Sequence, residues 1–157
     1  MIVDPFMSEV RAFLNRHNVL TLAYRDAHGV GACAVWFAVD DRLHLYFLSA
    51  PHSRHGQALA EGGQVAFTVQ KDEQDWQTIQ GVQGIGLCAM LRAGELDSAW
   101  QVYTRRFPFV THQIPDLNHA LGTAALWRII PTWLRLIDNR KGFGHKQERW
   151  LLDSVSD

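Results

Sequence analysis

The sequence has few of the features that mark several large classes of protein. It contains two cysteines, Cys33 and Cys88, and no C-x-x-C pair, so neither a disulfide framework nor a zinc ribbon is indicated. Its 15 basic and 16 acidic side chains nearly balance, and no long run carries one sign. This argues against a dedicated nucleic-acid binder, whose affinity depends on clustered Lys and Arg.

Long hydrophobic runs and targeting signals are also missing. The most apolar stretch, residues 120–137, includes Arg128, Pro131 and Arg135 and does not suit a bilayer span. The N-terminus lacks a basic region followed by an apolar run, so no signal peptide is predicted. With 47% apolar residues and no linker or repeat, we expect one domain over residues 1–157, cytoplasmic, with neither membrane nor nucleic acid as partner.

Apolar and polar residues alternate along several stretches bounded by Gly, Pro, Asp or Asn, which is typical of β-strands. The predicted strands cover residues 19–24, 30–39, 42–48, 64–70, 79–92, 124–130, 133–137 and 145–151, with Pro131 interrupting the 124–137 stretch. Helical spacing predicts helices over 4–17, 54–61 and 95–106, a loop with one helical turn near Asp116 over 108–122, and a frayed tail over 153–157. This pattern indicates a mainly β protein, a closed or nearly closed antiparallel barrel with flanking helices.

Residues 43–59 carry the clearest local chemistry. A strand turns polar at Ser49, breaks at a proline, and reaches Ser53, which is suited to cap a short helix with Arg54 and His55 in its first turn. Backbone N–H groups, two hydroxyls and a guanidinium would converge on one spot, which suits a phosphate or another dianion. The same residues also fit a plain helix cap beside a solvated arginine.

Other candidate motifs are weaker. The glycines at 81, 84 and 86 do not match G-x-G-x-x-G, and no helix follows them. His52 and His55 are three residues apart, and nothing in the spacing makes them converge with His112, His119 or His145, so no metal site is predicted. The tryptophan at 36 lies in a predicted strand, where spacing alone favours packing in a core or an interface over ligand binding.

Taken together, residues 8 to 151 resemble the flavin-binding split-barrel family related to pyridoxamine 5′-phosphate oxidase, and especially its small bacterial members. The family's order of motifs appears here at residues 34–41, 45–49, 53–55, 65–69, 82–86 and 127–150. The resemblance implies an antiparallel, Greek-key split barrel. It also implies a homodimer with FMN at its interface, and an FMN-dependent oxidoreductase acting on a small-molecule substrate.

The resemblance further implies which residues bind the cofactor. The 5′-phosphate would lie on Ser49, Ser53, Arg54 and His55. The backbone and side chains of Val35, Trp36 and Phe37 would face the isoalloxazine ring.

Three more residues are implied by position in the family. Gln83 would come from the long strand and reach the flavin of the other subunit. His145 and Lys146 match the region where the last strand contributes to the site.

Two departures from the family's pattern matter. His55 stands where many members have Lys, which predicts weaker or more pH-dependent phosphate binding. Phe143-Gly144-His145-Lys146 replaces the oxidase's Arg-Leu-His-Asp-Arg motif, so oxidation of pyridoxamine 5′-phosphate itself is not expected.

Three alternatives stay open. One is a non-enzymatic dimer that holds flavin or haem, with His52, His112, His119 or His145 as an axial ligand. Another is a deazaflavin in place of FMN, since both offer a flat tricycle and a phosphate. The last is a structural dimer without a ligand.

Overall fold

The computed structural model of the chain describes residues 4–151, so the predicted frayed tail at 153–157 lies outside the described residues. The strands are β1 (Val19–Asp26), β2 (Gly29–Val39), β3 (Leu45–Ser49), β4 (Gly63–Gln70), β5 (Gln80–Met90), β6 (Ala125–Asp138) and β7 (Lys146–Trp150). The α-helices are α1 (Pro5–Leu14), α2 (Arg54–Ala58), α3 (Ala93–Arg106) and α4 (Pro115–Gly122). Two single turns of 3₁₀-helix cover Pro108–Thr111 and Asn139–Lys141.

The strands form one antiparallel sheet in the order β3-β2-β1-β4-β5-β6-β7. β3 also pairs with residues 125–129 of β6, so six strands close into a barrel and β7 extends it at an edge. In this order β4 lies beside β1, which gives β1 to β4 a Greek-key arrangement. The predicted mainly β class, an antiparallel split barrel with flanking helices, is confirmed.

Side chains of alternate strand residues fill the barrel. Leu20 and Leu22 of β1 are fully buried, as are Phe47 of β3 and Trp127 of β6. Helix α1 adds its apolar side to this core, with Val10 fully buried. Burial of one such large aliphatic or aromatic side chain contributes about 1.5–3 kcal/mol, so the barrel interior supplies most of the stabilisation.

A second, smaller core lies outside the barrel. Helix α3 packs Ala99 and Tyr103 on Tyr46 and Leu126, whose side chains point outward from β3 and β6. The sequence predicted this helix over 95–106, and it begins two residues earlier.

The prediction that Pro131 interrupts a strand is wrong. β6 runs continuously through Pro131, opposite a register shift between Ile85 and Gly86 of β5. Pro131 lies between the β6 residues that pair with β3 and those that pair with β7, so its missing N–H falls where that ladder already changes partner. The hydroxyl of Thr132 donates to the carbonyl oxygen of Ile85 at 3.2 Å and bridges the irregularity.

The segment 108–122 contains more helix than the sequence predicted. Instead of one turn near Asp116, it holds a 3₁₀ turn and the eight-residue helix α4, which starts at Pro115. Helix α4 has no fully buried residue. Because its apolar pattern is weak, only the helix-starting proline marked it in the sequence.

Candidate functional site

Four side chains gather where β3 ends and α2 begins, and we call Ser49, Ser53, Arg54 and His55 the polar cluster. Ser53 caps α2 as predicted: its hydroxyl oxygen accepts from the N–H of Gly56 at 3.1 Å and donates to the carbonyl oxygen of Ala50 at 2.7 Å. The helix ends at Ala58 rather than at residue 61. So short a helix contributes little through its dipole, and the side chains are what the cluster offers a ligand.

The turn before α2 folds tightly over the helix at Gly56. A Cβ there would lie 2.6 Å from the carbonyl oxygens of Ala50 and Pro51, so a larger residue would push the turn away. The close approach brings His55 back to β3. Its Nε2 atom hydrogen-bonds to the hydroxyl of Ser49 and lies 3.2 Å from the hydroxyl of Ser53.

His55 is half-buried, and its ring centroid lies 6.0 Å from that of Tyr24. Burial lowers the pKa of the imidazole below its ordinary value, so the ring is neutral at pH 7. The cluster thus presents two hydroxyls and a neutral ring that can rearrange to donate hydrogen bonds to an oxyanion. Its permanent positive charge comes from Arg54 alone.

Arg54 is bound, not merely solvated. Its Nε and Nη2 atoms donate to the two carboxylate oxygens of Asp26 at 2.7 and 3.2 Å, and its guanidinium lies 5.6 Å from the centre of the Tyr24 ring. The guanidinium hydrogen bonds hold the pKa of Asp26 at about 2. This fork leaves Nη1 of Arg54 available for a further acceptor.

Of the three predicted residues on β2, only Trp36 can offer its side chain to a ligand outside the barrel. Val35 and Phe37 point into the core and are 7% and 1% exposed, because alternate strand residues face opposite sides. The prediction that their side chains face a flavin is therefore wrong, and only their backbone remains available. Trp36 is 47% exposed and packs against Phe107 with ring centroids 5.1 Å apart.

Gln83 lies on the outer face of β5. Its side-chain oxygen accepts from Nη1 of Arg135 at 3.3 Å, and Arg135 forms an ion pair with Glu148 on β7. The pairing registers place Gln83 in a row of outward side chains with Thr21, Thr68 and Arg135. The amide is held in place but faces away from the barrel.

The turn over residues 138–145 positions His145 and Lys146. Asp138, which is 2% exposed, accepts from the backbone N–H and the guanidinium of Arg140. Asn139 accepts from the N–H of Gly144 at 3.0 Å and donates to the carbonyl oxygen of Trp76 at 2.7 Å. In the described part of the chain, the buried Nε2 of His145 has no hydrogen-bond partner.

The two groups of predicted residues lie at opposite ends of the sheet. Arg54 is bound to Asp26, the last residue of β1. Successive pairings from β1 through β4 and β5 to β6 place Asp138 level with the first residues of β1. Eight residues at about 3.3 Å each separate the two levels by roughly 25 Å. Within one chain, the polar cluster therefore does not meet His145 or Lys146.

Sequence reasoning missed Asp26 and Arg135 as site residues. Asp26 pairs with a residue 28 positions away, and Arg135 meets Gln83 across two strands. Neither lies in a motif. To find them, one would have to know in advance how the strands of the barrel pair with one another.

The described residues, 4–151, contain no group of three or more His, Cys, Asp or Glu side chains placed to hold a metal ion. His52, His112 and His119 are exposed. None of the helices within that range is long and apolar enough to cross a membrane.

The chain is similar to known proteins along most of its length. A UPF0306 protein of Enterobacter sp. (strain 638) is 32% identical over 147 residues, covering 92% of this chain and 96% of that protein. A haem-binding protein of Mycobacterium smegmatis superimposes with a TM-score of 0.74 at 17% identity, over 96% of this chain. This chain spans 60% of that longer protein.

The haem storage protein HutZ of Vibrio cholerae superimposes with a TM-score of 0.61 at 20% identity, covering 79% of this chain and 88% of HutZ. At such identities the two structures show the shared fold alone. The sequence model of the pyridoxamine 5′-phosphate oxidase family matches residues 6–138. This chain therefore belongs to the pyridoxamine 5′-phosphate oxidase family, within its group of UPF0306 bacterial relatives.

Proposed function

We propose that this protein is a homodimeric, cytoplasmic FMN-binding flavoprotein that oxidises or reduces a small molecule. The observation that carries the proposal is the polar cluster, in which Ser49, Ser53 and His55 converge next to a preoriented arginine. It stands where the resemblance to the family implied a phosphate site. When bound, FMN would supply the electron transfer, and the protein would hold, orient and shield it.

The cluster fits a phosphate by its donors. The hydroxyls of Ser49 and Ser53 can turn toward an oxyanion if the imidazole of His55 gives up its present hydrogen bonds. Arg54 adds a charge-assisted donor through Nη1 while Asp26 holds the other side of its guanidinium. Asp26 therefore both positions Arg54 and offsets its charge.

The flat part of the cofactor needs an aromatic or apolar surface and a few hydrogen-bond partners. Trp36 supplies an exposed ring, and the backbone of Val35 and Phe37 runs beside it. Gln83 supplies an amide fixed by Arg135. We assign these residues to the isoalloxazine ring. Val35 and Phe37 would act through their backbone groups only.

The sheet itself supports a dimer. One row of outward side chains crosses six strands and is mostly small or apolar: Ala32, Ala23, Ala66, Ile85, Trp133 and Trp150. Trp150 is 70% exposed, and Val30 near the same face is 81% exposed. Exposed apolar surface of this kind marks an interaction site. A second copy on this face would also bring in His145 and Lys146, which one chain keeps far from its own polar cluster.

The test is the visible absorption spectrum of the purified protein and an FMN titration. The double variant Arg54→Ala/His55→Ala is expected to bind FMN at least tenfold more weakly than wild type, because it removes the charge and the ring from the cluster. Arg92→Ala/His112→Ala removes the same residue types from exposed positions and should bind like wild type. Unchanged FMN affinity in Arg54→Ala/His55→Ala would refute the phosphate assignment. Displacement of FMN by a phosphorylated deazaflavin would identify the deazaflavin as the cofactor.

A haem-binding dimer is the second candidate. Two proteins with this fold are described as haem-binding and haem storage proteins, and His145 has a ring nitrogen without a partner among the described residues. A Soret band on addition of hemin that is lost in His145→Ala but kept in His112→Ala would favour it. Reduction of bound FMN by NADH or NADPH would favour the enzyme.

A further inference from the structure

A cavity of about 420 Å³ lies outside the barrel, between α3, α4 and the strands β3 and β6. Its walls are mostly apolar and comprise Leu48, Leu91, Leu96, Trp100, Leu121 and Leu126. We call it the α3–α4 cavity. Its volume is within the range of sites for small organic ligands.

One wall of this cavity is the part of the apolar side of α3 that does not pack on the sheet. Leu96, Ala99, Trp100 and Tyr103 share one side of α3 by their helical spacing. Ala99 and Tyr103 are buried on the sheet, but Leu96 and Trp100 are each still 37% exposed. Two large apolar side chains one turn apart therefore face the cavity without protein to cover them.

The opposite wall is formed by α4. Helix α4 contributes Leu121 to the cavity, yet no residue of α4 is fully buried. An element with so little buried surface can shift at a small cost in stability. Leu121 packs against the second core, but α4 has no buried residue, so α4 is the wall that shifts most easily when a ligand binds.

The rim carries an uncompensated negative charge. Asp97 lines the cavity, and no hydrogen bond or ion pair is found for it among residues 4–151. The neighbouring Glu95 is paired with Arg128 at 3.3 Å. A cation seated at the rim would approach the carboxylate of Asp97 and could also lie over the ring of Trp100.

We propose that the α3–α4 cavity binds a small apolar cation, an aromatic or aliphatic primary amine in its protonated form. The apolar body would contact Leu96, Trp100 and Leu121, and the ammonium group would lie at Asp97. The lining includes no member of the polar cluster, although Leu48 and Ala125 adjoin Ser49, so the proposal adds a second ligand beside the proposed flavin. A concave site lined by two helices and two strands suits a small molecule better than the flat surface of a second copy.

The probe is 2-phenylethylamine, compared by calorimetry with its neutral isostere 2-phenylethanol and with the anion 3-phenylpropionate. We expect saturable binding of the amine, about threefold tighter than the alcohol and tighter still than the acid, in line with a partly exposed ion pair. Asp97→Asn should remove the preference for the amine. Asp72→Asn, an exposed carboxylate elsewhere, should keep it.

A second pair of variants tests the cavity itself. Ala124 also lines the cavity, so Ala124→Phe places a ring inside it and should abolish binding of both the amine and the alcohol. Ala120→Phe adds the same ring at an exposed position on α4 and should not. FMN uptake should be unchanged in Asp97→Asn, and amine binding unchanged in His55→Ala, so failure of one proposal leaves the other in place.

Two results would overturn the proposal. One is equal binding of amine, alcohol and acid, or binding that survives Ala124→Phe. The other is the absence of saturable amine binding by the wild-type protein. If Leu96→Lys then also changes a dimer into a monomer in analytical ultracentrifugation, a second copy covers the cavity instead.

Discussion

Two aspartate–arginine pairs stand at opposite ends of the sheet, and they differ in how deeply the carboxylate is buried and in which groups lie beside the arginine. In Asp138–Arg140 the carboxylate is buried and the two residues are two positions apart in sequence. Each aspartate accepts from a backbone N–H as well as from the guanidinium, and Asp138 also accepts from the side-chain amide of Gln80. In Asp26–Arg54 the pair joins residues 28 positions apart, and the arginine side chain is half exposed beside the hydroxyls of the polar cluster. In both, the guanidinium lowers the pKa of the carboxyl.

On the proposed function, Asp138–Arg140 is a structural pair and Asp26–Arg54 serves a ligand. At Asp138 nearly all acceptor capacity is used inside the protein, so the pair fixes the 138–145 turn. Both arginines bind their aspartate through Nε and Nη2, but Arg54 lies beside the hydroxyls and the ring of the polar cluster, so on the proposed function this pair orients a charge toward a ligand. On the proposed function, the same two side chains thus serve stability at one end and recognition at the other.

The largest expected effect is on stability, from Asp138→Ala. The change removes the acceptor for the N–H and guanidinium of Arg140 and leaves a cavity at a 2% exposed position. We expect the free energy of unfolding to fall by about 2 kcal/mol in urea titrations. Asp26→Ala, at the other pair, should change it far less. Equal losses from the two variants would contradict the distinction drawn between the pairs.

The next effect is on the pH dependence of FMN binding. His55 is neutral at pH 7 because burial lowers its pKa, and a bound dianion would raise that pKa. Binding then takes up a proton, so FMN should bind about threefold more tightly at pH 6.5 than at pH 8. Below about pH 6 the phosphate of FMN itself gains a proton and the comparison no longer isolates the histidine.

His55→Gln is the control for this dependence, and its affinity should be flat between pH 8 and 6.5. Riboflavin, which lacks the phosphate, should also show no dependence. For the protein without ligand the sign is opposite: the stability that neutral His55 contributes is present above its unfolded pKa and is lost as the pH falls through its folded pKa. An affinity that rises with pH would contradict a role for His55 at the phosphate.

Sequence patterns predicted most of the fold and the local arrangement of the polar cluster. The strands and the cap at Ser53 depend on neighbours within a few residues, so alternation and capping rules found them. Helix α4 was missed because packing barely uses its apolar side. The strand β6 continues through Pro131 because of the strands that flank it, and no rule based on neighbouring residues predicts those strands.

The site was predicted least well where it depends on register. Alternation should have shown that Val35 and Phe37 point the same way as each other and opposite to Trp36, so that only one group could face a ligand outside the barrel. The partner of Arg54 could not be predicted, because the contact with Asp26 forms only when α2 packs on the end of β1.

The smallest expected effect is the sharpest test of the comparison, and it comes from Asp26→Asn. The amide oxygen can still accept from Arg54, but the negative charge, present at any pH above about 4 because the pKa is about 2, is gone. If Arg54 serves a phosphate, removing the neighbouring carboxylate should tighten FMN binding about twofold at low salt, with the gain fading at 0.5 M salt. If the pair is only structural, as at Asp138, the affinity for FMN will be the same in Asp26→Asn and wild type. Weaker binding would mean that the precise placement of the guanidinium matters more than the charge beside it.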